Sequence, residues 1–312
     1  MYKHLLVPLD GSTLAETVLP TVSYLARTLG AMVTLVHVIE RDASPQIHGE
    51  RHLTEPAEAA SYLDEIAARA LPAGIAVERH VHTSEVGNVA RSIVEHVGEL
   101  APDLIVMCTH GSGGLRGWLF GSIAQQVIAM GTTPVLLIQP AEENAQAAIS
   151  YRQILAPIDG DPEHEQGLPT AAALAAACGA ALRLIMVVPT WGTLSGTSAA
   201  TSRLLPSATM ALLNVTQEAA EDYLRTRVAQ LEGSGVSTTV AVARGDPAVV
   251  VADAAAQIKA DVIVMGTHGK SALDAFWSGS TTPRIADRTN VSLLLVPVRR
   301  PAESDLTPRS QP

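Results

Sequence analysis

Two stretches of this chain are nearly identical: Asp103-Leu-Ile-Val-Met-Cys-Thr-His-Gly111 and Asp261-Val-Ile-Val-Met-Gly-Thr-His-Gly269. Each is followed by a Gly-Ser pair, Gly121-Ser122 and Gly279-Ser280, and the offset between copies is 158 residues at both places. A short apolar run ending in spaced glycines is a buried strand entering a turn. Its recurrence, once per half, restricts the chain to two copies of one domain. Glycines in such a turn let backbone N–H groups approach an anion, so each copy is a candidate phosphate-binding loop. The copies differ at one glycine, since Cys108 stands where the second copy has Gly266.

The repeat begins upstream of the glycines. Leu5 to Gly11 matches Ile154 to Gly160 at an offset of 149, and Thr34 to Val38 matches Arg183 to Val187 at the same offset. The offset becomes 161 at Tyr62/Tyr223 and 158 from Gly87/Gly245 onward. The second copy has therefore gained residues between Pro189 and Leu212, a Ser/Thr/Gly-rich stretch that reads as a longer surface loop or lid.

In the first copy the apolar patterning predicts strands over 3–9, 32–39, 75–82, 103–109 and 134–139, and helices over 13–29, 56–71, 87–99 and 122–130. The strands are short, β-branched, nearly continuous apolar runs, as expected of parallel strands buried on both faces. Thr13 and Glu16 have capping-box spacing, and Asp161-Pro162 reads as an N-cap followed by proline at the first helical position. Strand–helix alternation predicts an α/β fold of two tandem doubly wound five-stranded parallel sheets. Residues 1–140 and 151–298 are the expected domains, with a linker at 141–150 and a flexible polar tail at 299–312.

The 312 residues suffice for two cores, which must be aliphatic because the chain is 47% hydrophobic and only 3% aromatic. A net charge of −10 with no Lys/Arg block argues against nucleic acid or an anionic membrane as partner. No window approaches the ~18 apolar residues of a membrane span, and the N-terminal apolar run is too short for a secretory signal. Cys108 and Cys178 lie in different copies and suggest no disulfide framework. A soluble cytoplasmic protein is expected.

In open parallel sheets ligands sit beyond the carboxyl ends of the strands, where strand order reverses. The Pro-x-Asp-Gly turn, the ends of the second strands at Val38 and Val187, and the Thr-His-Gly loops all fall at such ends. Asp10 and Asp159 can accept hydrogen bonds from a ribose hydroxyl or an adenine amino group. The Gly-Ser pairs open the last helices, whose free N–H groups suit phosphates. His110 and His268 have no partner carboxylate or nucleophile at useful spacing and read as loop-packing residues. Cys108 reads as a space-filling side chain. Gly269-Lys-Ser271 lacks the upstream glycine of a P-loop, position 264 being Val.

These motifs resemble those of tandem universal stress proteins. The first copy carries the better opening, Val7-Pro-Leu-Asp-Gly-Ser12, and the second the intact glycine frame, Gly266-Thr-His-Gly269 with Gly279-Ser280-Thr281. The resemblance implies a Rossmann-like fold of the adenine nucleotide alpha hydrolase-like type and membership of the adenine-nucleotide-binding branch. The ligand it implies is ATP, AMP or ADP, with Mg2+ held mainly by the phosphates. In the second copy it implies that Asp159 contacts the adenosine, that backbone at Val187 reads the adenine, and that Gly266, Gly269, Gly279, Ser280 and Thr281 hold the phosphates, with Pro157, Met265, His268 and Lys270 in the surrounding motifs. The first-copy counterparts are Pro8, Asp10, Val38, Met107, Gly111, Gly121, Ser122 and Ile123. Asp161 and Glu163 add negative charge near the second site and Lys270 offsets it, so the intact glycines favour the second copy as the stronger site. The last strands of the two copies are expected to pair into an internal pseudo-dimer, and chains to assemble further as a homodimer. The function implied is a nucleotide-dependent regulatory or binding module in the stress response. A slow ATPase on the same scaffold, without a Walker lysine, and a nucleotide-free scaffold are the alternatives.

Overall fold

The computed structural model describes residues 1–40, 46–47, 49–83, 88–109, 121–140, 149–162, 164–194, 200–202, 204–268 and 281–298, with His268 described by its backbone alone. Apolar runs become strands in both halves because neither face of such a run tolerates water. The first half runs β1 (His4–Pro8), α1 (Thr13–Glu16), α2 (Leu19–Leu29), β2 (Met32–Ile39), a short hairpin of β3 (Gln46–Ile47) and β4 (Glu50–Arg51), α3 (Pro56–Ala70), β5 (Val77–Thr83), α4 (Val89–Leu100), β6 (Leu104–Cys108), α5 (Ser122–Met130) and β7 (Val135–Ile138). The second runs β8 (Gln153–Ile158), α6 (Gly167–Cys178), β9 (Ala181–Val188), a 3-10 turn at Trp191–Thr193, α7 (Pro206–Leu231), β10 (Thr238–Arg244), α8 (Pro247–Ile258), β11 (Val262–His268), α9 (Thr281–Ala286) and β12 (Ser292–Val298). Among the described residues no helix is long and apolar enough to cross a membrane.

Each half is a parallel five-stranded sheet, but the two are not separate. They join edge to edge in one ten-stranded sheet of order β10-β9-β8-β11-β12-β7-β6-β1-β2-β5. The joint is antiparallel, with Leu293 opposite Leu137, Leu294 opposite Leu136 and Leu295 opposite Val135. All six side chains are buried. Two edges that would otherwise template aggregation thereby satisfy each other, and the halves form an internal pseudo-dimer. The Tyr24 hydroxyl accepts a hydrogen bond of 3.0 Å from the Tyr151 backbone N–H, and the Gln139 side chain donates to the Thr289 carbonyl at 2.6 Å. One apolar layer covers each face of the sheet through both halves.

The aspartate that opens each copy of the repeated motif has a structural task. Asp103 accepts from the backbone N–H groups of Lys3 and His4, and Asp261 from those of Arg152 and Gln153. Each carboxylate pins the start of its copy's first strand.

Several local expectations are corrected. The helix expected over 13–29 breaks into α1 and α2, because Pro20 cannot donate to a continuous ladder and instead sits in the first turn of α2. Ser12, rather than Thr13, caps α1, accepting from the Ala15 N–H at 3.1 Å. Thr13 donates to Glu50, and Glu16 pairs with Arg69 at 2.7 Å. Asp161-Pro162 does not open a helix, since α6 begins at Gly167 after a further turn. The stretch 189–212 is not all loop, because from Pro206 it forms the first turns of the 26-residue α7.

Asp246 caps α8, accepting from the N–H groups of Ala248 and Val249, and receives a 2.5 Å bond from Arg284. The Arg284 guanidinium is the main reason its carboxyl lies below the usual carboxylate value. Asp246→Ala is expected to cost about 1 kcal/mol at neutral pH, the usual worth of a side-chain cap. A carboxylate whose folded pKa is depressed stabilises above its unfolded value and loses that contribution as pH falls through the folded one. Urea melts of wild type and variant should therefore differ at pH 7 and converge on acidification.

Candidate functional site

From β1 the chain moves outward to β2 and β5, then crosses back over β1 to β6 and β7. The crevice between the carboxyl ends of β1 and β6 is thus the reversal point of the first half, and a cavity opens there. Its floor is Pro8, Leu9 and Asp10 after β1, Val36 and Val38 of β2, and Met107 and Cys108 of β6. Val89 and Ile93 of α4 and Ile123 of α5 close one side. The lining is mostly apolar, with polar groups at Asp10, Ser12, Glu40 and His52. Small-molecule sites in general combine apolar walls with a few placed polar groups in this way.

Asp10 is held in place by local chemistry. Gly11 takes φ +90°, which turns the chain back so that the Ser12 N–H and hydroxyl both donate to Asp10 Oδ1, at 2.9 and 2.6 Å. Cys108 faces the same cavity. Its thiol accepts from the Thr17 hydroxyl at 3.4 Å and donates to the Thr109 carbonyl at 3.2 Å. Burial, with a smaller contribution from the Asp10 charge, pushes that thiol up to about 11, so it stays protonated and poorly nucleophilic at neutral pH. This agrees with a space-filling role.

The insertion between β2 and α3 roofs the cavity with Ile47 and His52. Glu50 at its tip accepts from the Thr13 N–H and hydroxyl at 3.0 and 2.6 Å. His37, fully buried, bridges the insertion to the loop after β1: Nδ1 lies 2.7 Å from the Leu9 carbonyl oxygen and Nε2 3.1 Å from that of Leu53. Sequence patterning did not select Ile47, His52 or Glu40, because they are isolated residues in a polar stretch.

The segment of the first copy expected to hold phosphates is described only at its far end. Gly121 is the N-cap of α5 and supplies no side-chain cap, leaving the N–H groups of the first turn, at Ser122 and Ile123, at the positive end of the helix. Gly111 and His110 lie outside the described residues, as do Gly269, Lys270, Gly279, Ser280, Glu163 and the side chain of His268.

In the second copy the matching positions are arranged differently. Pro157 is the penultimate residue of β8 with Asp159 just beyond its end, Val187 lies near the end of β9, Met265 and Gly266 lie on β11, and Thr281 opens α9. Asp159, however, is engaged within the protein: it accepts from the Asp161 N–H at 3.0 Å and from His164 Nδ1 at 2.6 Å. The turn that carries His164 lies directly on β11. A β-carbon on Gly266 would stand 2.3 Å from the His164 carbonyl oxygen, and one on Gly167 3.0 Å from the Gly266 nitrogen. Gly266 has no positive φ, so its requirement is steric. The glycine is demanded here by the protein's own backbone, without reference to a ligand. Behind the turn, Glu165 pairs with Arg227 at 2.7 Å and accepts from the Tyr223 hydroxyl at 2.6 Å, fixing it to α7.

The sequence model of the Universal stress protein family matches this chain twice, over residues 1–139 and 150–297. A curated relative, universal stress protein YxiE of Bacillus subtilis, is 27% identical over 154 residues, which is 45% of this chain and the whole of the relative. The crystal structure of PA1789 from Pseudomonas aeruginosa PAO1, a protein described as functionally unknown, superposes with a TM-score of 0.67 at 16% identity, over 95% of this chain and 93% of that one. A universal stress protein from Archaeoglobus fulgidus superposes with a TM-score of 0.59 at 18% identity, over 95% and 96% of the two chains. At such identities the superpositions establish a common fold across both halves.

Proposed function

Because the chain belongs to the universal stress protein family and carries two copies of its domain, we propose that it is an adenine-nucleotide-binding regulatory module whose stronger site is in the first copy. The observation that carries this reading is the apolar cavity at the β1/β6 reversal point, with the Asp10 carboxylate fixed in its wall. The adenine enters between Val38, Met107 and Ile123, with backbone near Val38 available to its ring edge. Asp10 accepts from a ribose hydroxyl. Gly121, Ser122 and Ile123 at the start of α5 receive phosphates, together with the Gly111 loop. Pro8 shapes the turn that presents Asp10. Among the described residues, Asp10 and Glu40 are the carboxylates lining the cavity, so Mg2+ would be carried mainly by ATP itself.

The intact glycine frame pointed to the second copy. Its set of Pro157, Asp159, Val187, Met265, Gly266, His268, Gly269, Lys270, Gly279, Ser280 and Thr281 forms, in this reading, the weaker site, because nucleotide must first displace His164 from Asp159. Binding shifts the chain between partner-competent states rather than serving turnover, and any hydrolysis is far slower than the ~1 s⁻¹ at the low end of ordinary enzymes. Cytoplasmic residence and a dimer of chains belong to the same reading.

Mass spectrometry of small molecules released from the purified chain, with ATP calorimetry on the stripped protein, tests it. The expected result is a released adenine nucleotide and one dominant ATP site per chain. Absence of both would leave the nucleotide-free scaffold.

A further inference from the structure

Three histidines that the nucleotide site does not use lie together on β5 and α4. β5 is an edge strand, and His80 and His82, two residues apart on it, share one face. α4 covers that face and brings His96 against both, with ring centroids 4.4 Å from His80 and 4.3 Å from His82 in edge-to-face contact. Each ring offers a nitrogen, and these nitrogens all lie within 4.8 Å of one another.

The His96 ring is 3% exposed and has two unlike nitrogens. Nδ1 donates to Glu99 Oε2 at 3.0 Å, whereas Nε2 is buried with no hydrogen-bond partner among the described residues. A buried polar atom without a partner calls for an explanation. A carboxylate on Nδ1–H fixes the tautomer and leaves the lone pair on Nε2, the arrangement that metal-binding histidines adopt. Burial and the two neighbouring rings also lower the His80 pKa, in the direction of the neutral imidazole that metal binding requires.

The second copy shows that the fold does not need these rings. The strand register pairs Val36 with His80 and Val38 with His82, and at the corresponding places Ile185 with Ala241 and Val187 with Ala243. The helix residue matching His96 is Ala254, and the one matching Glu99 is Gln257. All three alanines pack against the apolar layer. The histidines and their carboxylate occur together in one copy and are replaced together in the other.

We propose that His80, His82 and His96 form a binding site for a divalent transition-metal ion, of which Zn2+ fits best, with Glu99 orienting His96. Three imidazoles with a fourth position open to water suit tetrahedral zinc. Zinc–nitrogen bonds of about 2.0–2.1 Å hold ligand nitrogens roughly 3.3 Å apart, so modest side-chain rotations close the cluster on the ion. The bound ion ties α4 to the edge strand.

The test is calorimetric titration of the metal-free full chain with Zn2+, accompanied by the visible spectrum of the Co2+ form, which reports tetrahedral coordination. One equivalent is expected to bind. Glu99→Gln should weaken it about 10–100-fold, the usual effect of losing an outer carboxylate, and His82→Ala by more than that. The triple variant His80→Ala/His82→Ala/His96→Ala copies the second half's residues and should bind none at this site while retaining its circular dichroism. If that variant does not fold, the two single variants carry the test. Failure of wild type to bind Zn2+ at micromolar concentration, or binding unchanged in His82→Ala and Glu99→Gln, would overturn the proposal. Neither result bears on nucleotide binding.

Discussion

Leu294→Asp is expected to unfold the joint between the two halves. Leu294 is 1% exposed and faces Leu136, itself 1% exposed, across the antiparallel seam. Apolar layers run through both halves on either side, so a carboxylate there has neither water nor a cation. An uncompensated buried charge costs several kcal/mol, against a total domain stability of about 5–15 kcal/mol. The variant should populate unfolded or aggregated chain under conditions where wild type is folded, because the exposed edges of β7 and β12 become templates for one another's copies. Urea unfolding followed by circular dichroism, with size-exclusion chromatography, reads both effects. Leu294→Met, which keeps volume and polarity, should cost less than about 1.5 kcal/mol. An Asp variant with the wild-type midpoint would mean that the seam is not buried as described.

Gly266→Val is expected to be the second most damaging change. Its β-carbon would arrive 2.3 Å from the backbone oxygen of His164, a contact that a flexible side-chain tip cannot relieve. Either β11 or the start of α6 must move, and forced overpacking typically costs 1–3 kcal/mol, occasionally more. We expect about 3 kcal/mol in urea melts, with hydrogen exchange accelerated in the first turn of α6. Cys108→Val in the first copy should cost much less, because a β-carbon already stands there, with the Thr17 hydroxyl just after α1 in contact with the sulfur. Equal costs at the two positions would contradict the steric account of this asymmetry.

How much of this could be read in advance follows from how local each cause is. The inner strands were legible because a parallel strand buried on both faces writes a continuous apolar run, which the edge strands β5 and β10 do not. The meeting of Pro8, Asp10, Val38, Met107 and Ile123 at one cavity was legible because all lie at carboxyl ends of strands, or at the helix start that follows one. The Cys108/Gly266 difference was visible, but its cause was not. It depends on where the turn carrying His164 lies in space, whereas Asp161-Pro162 carries the local signature of a helix start. Ile47 and His52 escaped because a residue that roofs a cavity from an insertion has no periodicity. The pairing of the two last strands, which merges the sheets, was legible through the family resemblance, but its antiparallel sense was not, since an apolar strand does not say which way its neighbour runs. The histidine cluster was invisible for a similar reason: His80 and His82 are a spaced pair, but His96 joins them only across the strand–helix crossover.

The central claim is that the first copy binds the nucleotide through Asp10, while the second has its aspartate engaged by His164. ATP calorimetry on wild type, Asp10→Ala and Asp159→Ala tests it most directly. A hydrogen bond to a charged group is worth about 1.5–3 kcal/mol, so Asp10→Ala should weaken the dominant site by roughly 10–150-fold. Asp159→Ala should leave that site little changed. Loss of the dominant site in Asp159→Ala, with Asp10→Ala binding as wild type, would contradict the account and return the nucleotide to the second copy.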